Sequence, residues 1–599
     1  MVEQGSVRFC GVSPTNGRVK RQRPRKQPTV PKMTGARLFA EMMEGYEVSH
    51  IFFVPAFMLK AFAEMEDRPI RRIMVHGEKA AAYMADGYAR ASGKPGVCMA
   101  QMIGASNLAA GLRDGYMAGA PIIAITGGPT PQSRYRHAYQ EVDDIAQFDA
   151  VTKFNAQVDH VGRMPDLVRQ AFRVATSGAP GPVHLRVQSH LGQITEAEAD
   201  LDPLVEETYR RAPAFRPAPD MQQVRKALAA LSKAERPMIV AGGGVIRSGA
   251  AAEVVELAEK LSIPVATSIN AKAAIIDGHP LAVGVSGSYS RDCANRALAE
   301  ADLVFFVGSH TGGQVTNNWM FPPAGTPVIQ LDIEPAELGR NYPNTVSILG
   351  DAKVSLRAMI EAAAPRTNGT GWPQRVRQLI AEWRDEHEPM RNSDATPIRP
   401  ERICRDISDV LPPDGVVVSD TGHAGIWTAG MIDLKYPGQS YFRTAGSLGW
   451  GFPAALGVKC ALPDRPVVCF TGDGGFYYHI AELETARRHN INAVIVVNNN
   501  SALNQEIRLN DAAYGGKQRG RAEEMWRFPD IDFTKVAEAF GCAGIRVTNP
   551  GELPAALKQA IAMDRPVVVD VVSDMYAIAK KPWVPSGAVD FHSFQRSRS

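Results

Sequence analysis

Nowhere does this 599-residue chain offer the run of about 18 apolar residues that a membrane-crossing helix needs. A secretory leader is also missing, because the basic N-terminus has no apolar segment behind it. Cysteine is scarce, with seven residues at 10, 98, 293, 404, 460, 469 and 542. The number is odd, and no two are spaced as a metal clip or redox pair. Reduced thiols buried as small hydrophobes are therefore expected. No short repeat recurs, which excludes a solenoid. A strong excess of one charge is lacking too, since Lys and Arg total 66 against 63 Asp and Glu. These absences point to a cytoplasmic globular protein with no membrane partner.

What charge asymmetry exists sits at one end. Residues 1–32 hold eight Lys or Arg against Glu3 alone, with several prolines and almost no apolar periodicity. They read as a disordered basic tail. No nucleic-acid partner is assigned to it. The rest of the chain is mildly acidic.

Behind the tail, apolar β-branched runs alternate with helical patterns in three successive blocks. The expected architecture is α/β, with three consecutive doubly wound parallel-sheet domains. Their expected bounds are 33–200, 221–365 and 398–575, followed by a C-terminal tail or lid, 576–599. The acidic, Pro-bearing stretch 195–220 reads as a linker.

The third block carries the strongest chemical signal. A buried strand, Val467–Phe470, leads at once to Gly472, Asp473, Gly474 and Gly475. Open parallel sheets bind ligands at the carboxyl ends of their strands. Glycines let the backbone approach a phosphate, and a following helix offers free N–H groups. Asp473 can point at a cation there. The next strand, Ala493–Val497, ends in Asn498-Asn499-Asn500. Magnesium takes six oxygens and prefers few from protein. Asp473, an Asn amide, the Ala502 carbonyl, two diphosphate oxygens and a water would supply six. Gly-Asp-Gly alone should occur by chance in roughly one chain in five of this length. Fixing Asn-Asn at one distance lowers that to roughly one in a thousand.

At these residues the chain resembles the thiamine-diphosphate enzymes, the superfamily of acetolactate synthases, 2-oxo acid decarboxylases and benzaldehyde lyase. Their signature is Gly-Asp-Gly, some two dozen residues, then Asn-Asn. Here 24 residues separate Gly474 from Asn499, which favours Asn500 as the metal ligand beside Asp473 and Ala502. The resemblance implies a pyrimidine-binding, a middle and a diphosphate-binding domain, with thiamine diphosphate and Mg2+ as cofactors. Ser419-Asp-Thr-Gly-His423 is similar to a diphosphate-binding segment, which implicates Gly422 and His423. Thr444–Pro453 is similar to the segment under the aminopyrimidine. There the Gly446 and Leu448 carbonyls would meet the ring's amino group, and Leu448 would wedge the cofactor into its bent form.

His76-Gly-Glu78 precedes Ala-Asp-Gly-Tyr-Ala-Arg90, as the family's relay glutamate does. A Glu in a first helical turn is ordinarily a dipole-favoured surface residue. With the signature around it, Glu78 is read as the acid beside N1′ that promotes the C2 carbanion. In the family this Glu and the diphosphate site belong to different subunits, so a homodimer with shared sites, or a homotetramer, is implied. Tyr139-Gln140-Glu141 is similar to a synthase motif, so Gln140 would face the reacting carbon. Glu506 stands where decarboxylase relatives carry an acid; its other reading is an exposed helix start.

The implied reaction joins or breaks a C–C bond of a 2-oxo acid or related carbonyl through the carbanion and an enamine, in the manner of acetolactate synthase. The alternatives are a 2-hydroxyacyl or acyloin lyase of the same superfamily and a non-catalytic regulatory homologue. The Gln101–Asn107 loop is one residue shorter than in acetolactate synthases. The flavin signature of those synthases is missing, so no FAD is expected, despite Gly242–Gly244 and Gly308 after middle-block strands.

Overall fold

A computed structural model describes residues 30–189, 191–366 and 371–586. Most of the tail 1–32 thus lies outside the described residues, as do residues 587–599. Three sheets of six parallel strands follow one another along the chain. The α/β architecture of three doubly wound sheets is as expected.

The first unit opens with a short strand, β1 (Lys32–Thr34). Its sheet uses β2 (His50–Phe53), β3 (Arg71–Met74), β4 (Gly96–Ala100), β5 (Ile122–Gly128), β6 (Phe154–Val158) and β7 (Val183–Gln188). A further short strand, β8 (Glu198–Asp200), pairs antiparallel with β1. The stretch read as a linker, 195–220, therefore contains a strand. Its three residues carry no apolar run, and its partner lies far back in the sequence, so no local pattern marks it.

The middle sheet holds β9 (Pro237–Ala241), β10 (Val265–Thr267), β11 (Ala282–Val285), β12 (Leu303–Val307), β13 (Val328–Asp332) and β14 (Asn344–Leu349). The third holds β15 (Val416–Ser419), β16 (Ser440–Arg443), β17 (Val467–Gly472), β18 (Val494–Asn499), β19 (Ala543–Val547) and β20 (Val567–Val572). The first and third sheets share one spatial order: β3-β2-β4-β5-β7-β6 and β16-β15-β17-β18-β20-β19. Chain direction across each sheet reverses between β2 and β4, and between β15 and β17. The middle order is β11-β10-β9-β12-β13-β14. The central strands are continuous apolar runs because helices cover both faces.

The first and third units share a core. Phe52, Tyr83 and Leu108 pack in one cluster with Val418, Trp450 and Leu456. Its centre is the helix Glu78–Ser92 laid on the helix Gly451–Ala461. A Cβ added at Gly87 would lie 2.2 Å from the Ala454 carbonyl oxygen, and one at Gly457 would lie 1.9 Å from that of Met84. The backbones therefore touch directly. The helix Glu78–Ser92 starts on its own acidic residue and ends at Gly93, whose φ of 70° closes the last turn.

Candidate functional site

The carboxyl edge of the third sheet gathers four segments around the reversal of strand order, where open α/β sheets bind ligands. Asp420–His423 follow β15, Thr444–Leu448 follow β16, Gly472–Gly475 end β17, and Asn499–Ala502 end β18. Asp473 opens a short helix, Asp473–Tyr477, and is 2% exposed. Its carboxylate accepts the N–H of Gly474 at 2.8 Å and of Ala502 at 3.1 Å. No Lys, Arg or His pairs with it among the described residues. Burial pushes its pKa up to about 7, against the opposing pull of those N–H groups.

Asn500 lies beside it: its Oδ1 accepts the same Ala502 N–H at 3.1 Å. Asn499 is committed elsewhere, donating to Asp570 at 2.8 Å and to the Ile531 carbonyl at 2.9 Å. Asn498 Oδ1 is buried with no partner among the described residues. One carboxylate and one amide oxygen converge here without a countercharge, which suits a small divalent cation completed by phosphate oxygens. No cluster of three or more His, Cys, Asp or Glu among the described residues could hold a metal alone. The residues thus fit a magnesium diphosphate better than a bare ion.

Gly422 has a φ of 64° and caps the helix His423–Met431. His423 Nδ1 stands 2.7 Å from Asn504 Oδ1. Asn504 Nδ2 donates to the Met575 and Ala577 carbonyls, so its oxygen faces the histidine and His423 is the donor. Burial lowers the His423 pKa, and its Nε2 has no hydrogen-bond partner among the described residues. Gly446 is exposed, and a Cβ there would meet nothing within 4 Å. The Gly446 and Leu448 carbonyls accept no hydrogen bond among the described residues. Two free acceptors therefore flank this turn. Glu506 starts the helix Glu506–Ala513, half-buried.

The first sheet gathers its own set at its carboxyl edge. Glu78 follows β3, and its carboxylate accepts Asn107 Nδ2–H at 3.2 Å. Gly104 passes so close that a Cβ would lie 2.4 Å from Glu78 Oε1. Gln140, at φ 64°, donates to Gln101 Oε1 at 3.3 Å, and Gln101 donates to the Pro55 carbonyl at 2.8 Å. Gln140 Oε1 is buried and unpartnered among the described residues. Glu78, Gln101, Asn107 and Gln140 thus share one edge. No hydrogen bond or ion pair joins Glu78 to Asp473, Asn500, Gly446 or Leu448 of the same chain among the described residues.

Sequence reading passed over two acids that organise the site. Asp420 accepts the N–H groups of Thr421, Gly449 and Gly451 at 2.7, 3.1 and 2.8 Å. Asp114, from the first unit, accepts those of Ala445 and Ser447 at 2.5 and 3.0 Å. Asp420 lies inside the Ser419–His423 motif; a lone Asp within a helical run gives Asp114 no signal.

The middle-sheet glycines border a cleft lined by Gly243, Arg247, Asn270, Gly308, Ser309 and His310. Beyond β20 the chain crosses to the middle unit, where Trp583 N–H donates to Asp292 at 3.0 Å and its ring stacks on Phe321. The six cysteines among the described residues are free and buried. No described helix is long and apolar enough to cross a membrane.

Three family descriptions match the chain in sequence. Residues 33–148 match the N-terminal TPP-binding domain of thiamine pyrophosphate enzymes, 224–359 their central domain, and 420–571 their C-terminal TPP-binding domain. A probable acetolactate synthase large subunit of Methanocaldococcus jannaschii is 33% identical over 569 residues, 93% of this chain and 94% of the relative. The acetolactate synthase isozyme 2 large subunit of Escherichia coli K12 is 31% identical over 562 residues, 93% and 98% of the two chains. An acetolactate synthase large subunit of Lactococcus lactis is 29% identical over 562 residues, 92% and 95%.

Proposed function

Because the chain belongs to the family of thiamine pyrophosphate enzymes, we propose that it is a thiamine-diphosphate- and magnesium-dependent carboligase or decarboxylase acting on a 2-oxo acid. One observation carries the reading. Asp473, buried without a countercharge, meets the Asn500 amide at the glycine-lined edge of the third sheet. When bound, thiamine diphosphate supplies a nucleophilic carbon that adds to a carbonyl and stabilises the charge left behind.

Asp473, Asn500 and the Ala502 carbonyl would hold the metal. Gly422, His423 and Gly472–Gly475 would line the diphosphate. The open carbonyls of Gly446 and Leu448 would take the amino group of the pyrimidine. Glu78 would hold a proton at the ring nitrogen opposite, as a general acid-base group. It stands on another sheet edge, so the partner chain's Glu78 is read as completing each site. Ile103, 58% exposed, lies at this edge and offers apolar surface to a second copy. Gln140 and Glu506 would face the substrate from the two sides.

Titration calorimetry on metal-stripped protein tests the assignment. Thiamine diphosphate with magnesium should bind, and Asp473→Ala should abolish binding; no heat from the unaltered protein overturns the reading. A panel of 2-oxo acids, acyloins and 2-hydroxyacyl thioesters, with product analysis, then selects the substrate. Release of aldehyde from acyloins, with no turnover of 2-oxo acids, would assign a lyase instead.

A further inference from the structure

We propose that Asp114 is a positioning residue for this reaction: it reaches from the first unit to fix the aminopyrimidine turn of its own chain. The inference rests on the cofactor reading above. Asp114 lies on the helix Ala105–Ala118 and is 1% exposed. Its two oxygens accept four donors. Oδ1 takes the Ala445 N–H at 2.5 Å and Arg90 at 3.3 Å. Oδ2 takes the Thr444 hydroxyl at 2.7 Å and the Ser447 N–H at 3.0 Å. The Thr444 oxygen in turn accepts the Gly446 and Ser447 N–H groups at 3.0 and 2.9 Å.

Every N–H from Ala445 to Ser447 is therefore drawn onto one carboxylate–hydroxyl pair. Asp420 draws the N–H groups of Gly449 and Gly451 from the other side. With the N–H groups tied inward, the Gly446 and Leu448 carbonyls are left without donors among the described residues. Arg90 reinforces the arrangement: it donates to the Arg443 carbonyl at 2.7 Å and pairs with Asp86, which accepts Trp450 Nε1–H at 2.8 Å. The diphosphate anchor comes from other strand ends. Loosening this turn should thus disturb the pyrimidine ring while sparing the anchor.

Asp114 and Glu78 act on different sites in this scheme. Asp114 serves the turn of its own chain, whereas Glu78 serves the partner's. Asp114→Asn should slow hydrogen–deuterium exchange at the cofactor's C2, per bound cofactor, by about a hundredfold. Its dissociation constant for thiamine diphosphate with magnesium should change by no more than about threefold, since the anchor is untouched. Thr444→Val removes one donor from the opposite side and should slow exchange by about tenfold. A merely structural role would lower the melting temperature and leave exchange per bound cofactor unchanged; that result in both variants overturns the inference.

Mixed full-length dimers, isolated with two affinity tags, decide the geometry. A Glu78→Gln chain paired with an Asp114→Asn chain should regain about half the unaltered exchange, because one of two sites is intact. A Glu78→Gln chain paired with Asp473→Ala should also regain half, which checks the shared-site reading alone. Recovery in the second pair without the first overturns the role of Asp114. Recovery in neither overturns the shared-site reading, and the inference with it.

Discussion

Asp473 shows how one buried charge sets a pH dependence. Its folded carboxyl titrates near 7, whereas an unfolded Asp titrates near 3.8. Between these values the folded, metal-free chain binds more protons than the unfolded chain. Stability therefore falls as pH rises through that window. The melting temperature of metal-stripped protein should drop between about pH 5 and about pH 7.5, and Asp473→Asn should flatten most of that slope. Asp420, pushed up to about 6 by burial, acts in the same sense and leaves a residual slope. Magnesium needs the ionised carboxylate, so its affinity should climb about tenfold per pH unit below about 7 and level above it. Calorimetry across pH reads this directly. Glu78→Gln should keep cofactor binding but slow C2 exchange by roughly 10² to 10⁴. Asp473, Asn500 and Glu78 stood out in the sequence because each sits in a dense local motif. Asp114 did not: its partners on the turn, Thr444, Ala445 and Ser447, lie more than 300 residues away.

At the scale of elements, the contact between the helices Glu78–Ser92 and Gly451–Ala461 leaves no room for a side chain at Gly87 or Gly457. Gly457→Ala would drive a methyl into the Met84 carbonyl, which cannot retreat without moving a helix. It should lower the melting temperature by roughly 5 °C or more. Gly446→Ala meets nothing in the chain and should leave the melting temperature alone while weakening cofactor binding. Scanning calorimetry of both variants separates packing from ligand space. The central strands were legible, because parallel strands covered on both faces read as unbroken apolar runs; edge strands such as β16, Ser-Tyr-Phe-Arg, carry no such run. The order of the strands was not legible, since nothing in an apolar run names its neighbour. The helix-on-helix contact was equally hidden: both glycines look like ordinary helix positions until the other backbone is placed against them.

The whole molecule divides its candidate chemistry between two sheet edges, one holding Glu78 and the other Asp473. Three α/β blocks could be read from alternation alone, and the residues at strand ends could be grouped by motif. How the edges face one another could not, because that depends on surfaces no single segment contains. Dilution checks the shared-site reading at this scale. Exchange at C2 per bound cofactor should fall once protein concentration drops below the dimer dissociation constant, and sedimentation should track the same transition. The direct backbone contact between the first and third units also bears on gene recombination. Segments 78–92 and 451–461 form one inherited block although most of the coding sequence lies between them. Chimeras built from two relatives should fold when both segments come from the same parent, and fail when a crossover parts them.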